Sequence, residues 1–200
     1  MSHDWNVLVP EEIDPSGPES ITDFATYTGM DEYDSVHDAL DDIARYDAVI
    51  MRVAPIDAEV IDRADRLQVI SKHGAGLDSV DIDAASDRGI VVCNTPGANS
   101  RSVAEHAMTL LFAVRRDLRP ADRHVRSGSW NRTEFTGHEL TGDTLGLYGF
   151  GAIAREAADL AHGMGQNVIT YDPYVTDTDI PARVARVTEL SDLFARSDAV

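Results

Sequence analysis

One stretch constrains this chain more than any other: Thr144-Leu-Gly-Leu-Tyr-Gly149-Phe-Gly151-Ala-Ile-Ala154-Arg155, followed by Val168-Ile-Thr-Tyr-Asp172. It reads as strand, glycine turn, helix, strand, acid. Gly149 lets the chain turn sharply off the strand, and Gly151 lets the backbone come close to an anion. Ala154 stands at the third position of the pattern and is small enough for the helix to pack on the strand. The helix N-terminus adds unpaired N–H groups and the positive end of its dipole. Asp172 lies 23 residues after Gly149, near the ~20 expected of an acid that accepts hydrogen bonds from a ribose. A glycine pattern alone is a weak signal; here strand, helix and acid all fall in the order a dinucleotide requires. The expected cofactor contacts are Gly149, Gly151, Ala152 and Ile153 at the pyrophosphate, and Asp172 with Pro173, which ends the strand, at the ribose. A carboxylate at that place repels a 2′-phosphate, so the expected cofactor is NAD. The plainer alternatives are a tight strand-to-helix turn and a solvated strand-end acid.

The position of this motif leaves room for another domain in front of it. Residues 6–9 read as a short strand and 11–20 as an acidic loop. Helical spacing runs from Asp34 to Tyr46. A buried strand over 48–53 precedes a helix over 55–64, and a third strand over 67–71 leads into the loop Lys72-His-Gly-Ala-Gly-Leu-Asp78. A short helix over 81–87 is stopped by Gly89, and 90–93 is a fourth strand. Alternation at this spacing predicts a parallel sheet covered on both faces, an α/β domain. Ser102-Val-Ala-Glu105 reads as a capping box. It opens a helix from Val103 to about Arg119 whose almost all-round apolar body predicts burial on more than one side. Residues 120–143 read as polar and irregular, with Trp130 in core or interface packing. Beyond Asp172, residues 175–183 are loop, Val187 opens a strand-to-helix passage, and 197–200 begin a strand. Only 51 residues follow Gly149, enough for the first of two βαβαβ halves, so the reading is a C-terminally incomplete chain.

Charge narrows the partners. There are 35 acids against 17 bases, a net of −18, and Lys72 is the only lysine. Such acidity argues against nucleic acid and anionic membranes as partners. It also points to a halophilic protein of a high-salt cytoplasm, where screening removes self-repulsion; the melting temperature is then expected to rise in molar KCl. The ordinary alternative is an acidic enzyme. Residues 1–98 hold 21 acids and 6 bases, whereas 99–200 hold 14 and 11, so the half read as holding the anionic cofactor is nearly neutral. Met1-Ser-His-Asp-Trp5 shows no secretory signal, and no apolar run approaches a membrane span. The single Cys93, read as a buried small apolar residue, excludes an internal disulfide and a Cys-rich metal site; no metal is expected.

Several ordered motifs carry a family resemblance: Gly74-Ala-Gly-Leu-Asp78, Val80-Asp-Ile-Asp-Ala-Ala85, Arg88-Gly-Ile-Val-Val92, Asn94-Thr-Pro-Gly97, Val103-Ala-Glu-His106, Trp130, Leu140-Thr-Gly-Asp-Thr-Leu-Gly146, and the Gly149 turn through Tyr171-Asp-Pro173. From about Leu67 to Val200 the chain resembles the D-isomer-specific 2-hydroxyacid dehydrogenases. That resemblance implies a flavodoxin-like substrate domain, residues 1–98, followed by the first half of a doubly wound Rossmann NAD-binding domain, residues 99–200. It implies hydride transfer between NAD and a small anionic D-2-hydroxy acid or 2-keto acid, and a homodimer formed through the cofactor domain and the helix at Val103. It places Val103 near the nicotinamide, and the backbone of Ala75 and Gly76 at the substrate carboxylate. Lys72 and His73 either help with that anion or are surface charges. Asn94 and Asn99 read as turn formers, and Arg101 as a surface charge. The pattern departs from the family at Ala154, where glycine is common, and at Ala152, where a polar residue is common.

The family's catalytic histidine, glutamate and arginine are expected beyond Val200, so no catalytic residue is assigned here. Glu105 and His106 are helix neighbours about 100° apart and do not pair; the cap explains Glu105, and packing His106. A regulatory, corepressor-like NAD-binding protein on the same scaffold is the alternative of a different class.

Overall fold

In a computed structural model, residues 5–200 are described; the reading of the N-terminus as free of a signal falls largely on residues 1–4, outside them. The chain divides into two compact units, Met1–Ala98 and Asn99–Val200.

The first unit is a five-stranded sheet with helices between its strands. Its elements are β1 (Trp5–Leu8), α1 (Ser16–Glu19), β2 (Ala25–Thr28), α2 (Val36–Asp41), β3 (Ala48–Met51), α3 (Ala58–Arg63), β4 (Val69–Lys72), α4 (Ile82–Asp87) and β5 (Val91–Cys93). The order is β2-β1-β3-β4-β5, with every pair parallel. This is the flavodoxin-like order, whose direction reverses between β1 and β3. Three helices start on side-chain caps: Ser35, Asp57 and Asp81 accept from the N–H groups of Asp38, Val60 and Ala84. Each such cap is worth about 1 kcal/mol. Leu8, Ile43, Val49, Met51, Ile56, Ile61 and Ile70 are wholly inaccessible and form the core. The α1 turn replaces part of the expected loop over 11–20. Strand β2 has no counterpart in the sequence reading. It is an edge strand, Ala-Thr-Tyr-Thr, with only Ala25 buried, so its apolar signal is faint.

The second unit contains α5 (Ser100–Arg115), α6 (Leu118–Arg126), β6 (Thr144–Tyr148), α7 (Ala152–Gly163), β7 (Asn167–Tyr171), β8 (Val184–Arg186) and α8 (Leu190–Arg196). Its parallel sheet runs β6-β7-β8. Leu145 also pairs with Ala199 in parallel, and Gly146 N–H donates to Ala199 O at 2.8 Å. Strand β6 is thus flanked by β7 and by the segment at Ala199, the 3-2-1-4 arrangement of a doubly wound sheet. Gly146 permits that approach, because a Cβ there would collide with Ser197 Oγ.

The long helix differs from expectation at both ends. It begins at Ser100, with Asn99 at the cap position and no side-chain cap bond. Ser102 is therefore inside the helix and there is no capping box; Glu105 instead accepts from Arg101 Nε at 2.8 Å. The helix stops at Arg115, Asp117 takes a left-handed conformation (φ 49°), and α6 follows at once. Residues 120–126 are helical where irregular chain was expected. Leu118, Ala121 and Val125 recur at helical spacing, Pro120 lies in the tolerant first turn, and Asp122 pairs with Arg126 at 2.9 Å.

Only Ser100, Ala104 and Met108 of α5 are buried, at steps of four along one face. Leu110 and Val114 are 53% and 75% exposed, so the expected burial on several sides is absent. His106 is exposed rather than packed, Trp130 is 76% exposed rather than in the core, and Cys93 is exposed rather than buried.

Candidate functional site

At the turn after β6 two glycines play different parts. Gly149 has φ 96°, a conformation that favours glycine, and its N–H donates to Tyr171 O at 2.8 Å. Gly151 has φ −74° and ψ −169°, extended values open to any residue. A Cβ on Gly151 would meet nothing within 4 Å. Neither its own backbone nor its neighbours therefore require glycine, and the space over it lies open. Gly151 is the cap residue of α7. The N–H groups of Gly151, Ala152, Ile153 and Ala154 have no acceptor among the described residues. Ala152 and Ile153 are exposed there, while Ala154 packs against the core below. Four unpaired N–H groups at the positive end of a twelve-residue helix form an anion cradle.

Phe150, between the glycines, is 1% exposed and anchors the turn; the Arg155 guanidinium lies 4.6 Å from its ring centroid. Its N–H donates to Asp172 Oδ2 at 2.7 Å, and Tyr174 N–H donates to Asp172 Oδ1 at 2.8 Å. These bonds, the one from Phe150 first, hold the Asp172 carboxyl below the usual carboxylate range. Asp172 is thus ionised at neutral pH, and each oxygen keeps lone-pair capacity for a further donor. Pro173 and Tyr174 beside it are exposed. Val103 is 38% exposed on the first turns of α5. Two residues earlier, Arg101 pairs with Glu105 at 2.8 Å and with Glu156 on α7 at 3.2 Å, so it is an ion-pair residue linking two helices.

In the first unit, the loop after β4 turns its carbonyls inward. Thr95 N–H donates to Gly74 O at 2.9 Å, and Asn94 Nδ2 donates to Ala75 O at 2.7 Å. The N–H groups of Ala75, Gly76 and Leu77 have no acceptor among the described residues, which leaves three adjacent donors for an anion. Asn94 is therefore a tie that orients the loop, not merely a turn former. His73 is exposed, whereas Lys72 is buried at 8% exposure and is not a surface charge. Sequence reasoning also missed Glu11. Its carboxylate accepts from the N–H groups of Arg52, Val53 and Ala54 at 2.6, 2.9 and 3.0 Å and fixes the turn after β3. No side chain near Glu11 in sequence signals that contact 41 residues away.

No described helix is long and apolar enough to cross a membrane. Residues 7–196 match the family model described as D-isomer specific 2-hydroxyacid dehydrogenase, catalytic domain. The chain is 38% identical over 174 residues to a D-3-phosphoglycerate dehydrogenase of Archaeoglobus fulgidus, covering 86% of this chain and 32% of that one. It is 39% identical over 159 residues to a hydroxypyruvate reductase of Thermotoga maritima, covering 79% of this chain and 51% of that one. Among solved structures, a glyoxylate reductase from Paecilomyes thermophila superposes with a TM-score of 0.79 at 25% identity, over 98% of this chain and 63% of that one. The chain thus spans about a third to two thirds of the length of these relatives.

Proposed function

This chain belongs to the D-isomer specific 2-hydroxyacid dehydrogenase family, and from that premise we propose that it serves an NAD-dependent oxidoreductase acting on a small D-2-hydroxy acid or 2-keto acid. The observation that carries the reading is Gly151, a glycine required neither by its own conformation nor by its neighbours, below an open space and contributing one of four adjacent N–H groups unpaired among the described residues. In this reading Asn99–Val200 is the cofactor unit. Gly149, Gly151, Ala152 and Ile153 hold the pyrophosphate through the backbone. Asp172, with Pro173 beside it, receives the adenosine ribose hydroxyls and turns away a 2′-phosphate, and Val103 lines the nicotinamide side. When bound, the nicotinamide ring exchanges the hydride with the substrate. Met1–Ala98 is the substrate unit, where the N–H groups of Ala75 and Gly76 hold and orient the substrate carboxylate.

The Arg, Glu and His to which the family resemblance gives the proton and carbonyl chemistry are not assigned to residues of this chain. The 200 residues alone are therefore expected to show no turnover of glyoxylate, pyruvate or hydroxypyruvate with NADH, whereas the enzyme containing them turns over at least one. Absorbance at the reduced-nicotinamide band measures both. Turnover by the isolated chain would contradict the assignment of catalysis elsewhere. A full-length enzyme inert toward every 2-keto acid would contradict the activity itself.

A further inference from the structure

Residues 1–98 hold six bases against 21 acids. Arg45, Arg63, Arg66 and Arg88 each lie within 4 Å of a carboxylate. Arg52 and Lys72 have no such partner among the described residues; Arg52 is exposed to solvent, whereas Lys72 is only 8% exposed in a unit rich in acids. A buried ammonium without a countercharge is costly and calls for other compensation. Its two acceptors are neutral: the carbonyl of Arg52, and Ser79 Oγ at 2.9 Å. An ammonium has three N–H donors, so one has no partner among the described residues.

The location of this charge gives it a use. Lys72 closes β4, and Ser79 lies at the far end of the loop, so the Nζ–Oγ bond straps together the two ends of residues 73–78. A Cβ on Gly74 would stand 3.5 Å from Lys72 Cε, which places the lysine stem against the loop backbone. The same Nζ holds the carbonyl of Arg52, whose N–H is held by Glu11. The loop itself offers the unpaired N–H groups of Ala75, Gly76 and Leu77. A buried cation lacking a carboxylate thus lies against a loop whose free donors await an anion.

We propose that Lys72 is the positioning residue of this loop: its ammonium fixes the loop's ends, and its unbalanced charge is neutralised by the carboxylate of the bound 2-hydroxy or 2-keto acid. The inference rests on the reading of Ala75 and Gly76 as the carboxylate site, and its test separates the two. Lys72 is the only lysine, so lysine labelled with ¹⁵N at Nζ gives one ammonium resonance from the whole chain. Glycolate is titrated into the labelled chain at constant ionic strength, with chloride as the control anion, while the backbone amides of Ala75, Gly76 and Leu77 are followed. The ammonium and the three amides are expected to shift together with one dissociation constant, and chloride to move neither. Lys72→Met is expected to weaken glycolate binding at least about tenfold, the scale of one lost charge-assisted hydrogen bond, and Lys72→Arg to restore most of it. Should Lys72→Met not fold, the wild-type titration still decides. Amides that shift while the ammonium stays fixed would overturn the role of Lys72 and leave the loop reading intact. Silence at both would overturn the loop reading, and the inference with it.

Discussion

Replacing Gly151 with serine is expected to cost at least about a hundredfold in NAD⁺ affinity while leaving the stability of the chain unchanged or slightly higher. Gly151 sits at the cap of α7 with extended φ and ψ, the geometry in which serine accepts an N–H from the first helical turn. A Cβ there meets nothing, so the fold tolerates the substitution. The pyrophosphate does not tolerate it: the new side chain fills the open space and its oxygen takes one of the donors the anion needs. Losing charge-assisted hydrogen bonds of about 1.5–3 kcal/mol each gives the hundredfold figure, since each tenfold is about 1.4 kcal/mol. Gly146→Ala is the paired control. Its Cβ would collide with Ser197 Oγ, so overpacking costs about 1–3 kcal/mol and appears in the melting temperature. Calorimetric titration and thermal melting of both variants check the pair. A Gly151→Ser chain that binds NAD⁺ like wild type would remove the cradle from Gly151.

Asp172→Ala is expected to weaken NAD⁺ and inorganic pyrophosphate alike, each by about tenfold or more, the scale of a lost bond to a charged group. The pyrophosphate result carries the distinction. A carboxylate that met only the ribose would repel pyrophosphate, and its removal would tighten that ligand. The structure ties Asp172 Oδ2 to the N–H of Phe150 inside the glycine turn and Oδ1 to Tyr174, so the acid also holds the cradle in shape. Tighter pyrophosphate binding by the variant would show that the tie does not matter. The pH dependence follows from the same bonds. The folded-state pKa of Asp172 is depressed, so its contribution is complete above the ordinary carboxylate value and is lost as pH falls through the lowered one. The titration of Asp172 therefore leaves NAD⁺ affinity flat between about pH 5 and 8, and reduces it only in stronger acid.

The fold class was legible from local rules, and the rest depended on contacts between distant residues. Apolar strands with turn residues at their ends announce β1, β3, β4 and β5, and the parallel α/β class follows from their alternation with helices. Strand β2 was hidden because an edge strand with one buried residue of four has almost no apolar pattern. Helix α6 was hidden by five charged or titratable side chains within Arg119–Arg126, which mask a spaced apolar face. The capping motif at Ser102 misled because its spacing recurs by chance inside a helix that starts at Ser100. In the candidate site, the glycines and Asp172 stand out in the sequence through the spacing of the motif itself. The ties that shape the site were not: Phe150 to Asp172, Asn94 to Ala75, Lys72 to Arg52 and Glu11 to the 52–54 turn join residues 19 to 43 apart, and no local pattern encodes such pairs.

The most direct test of the cofactor reading is calorimetric titration of NAD⁺ and of NADP⁺ into the wild-type chain. One saturable NAD⁺ site is expected, with NADP⁺ weaker by about tenfold or more because its 2′-phosphate faces the ionised Asp172. Absence of binding by both nucleotides, or tighter binding of NADP⁺, would contradict the assignment of Gly149, Gly151 and Asp172 to NAD.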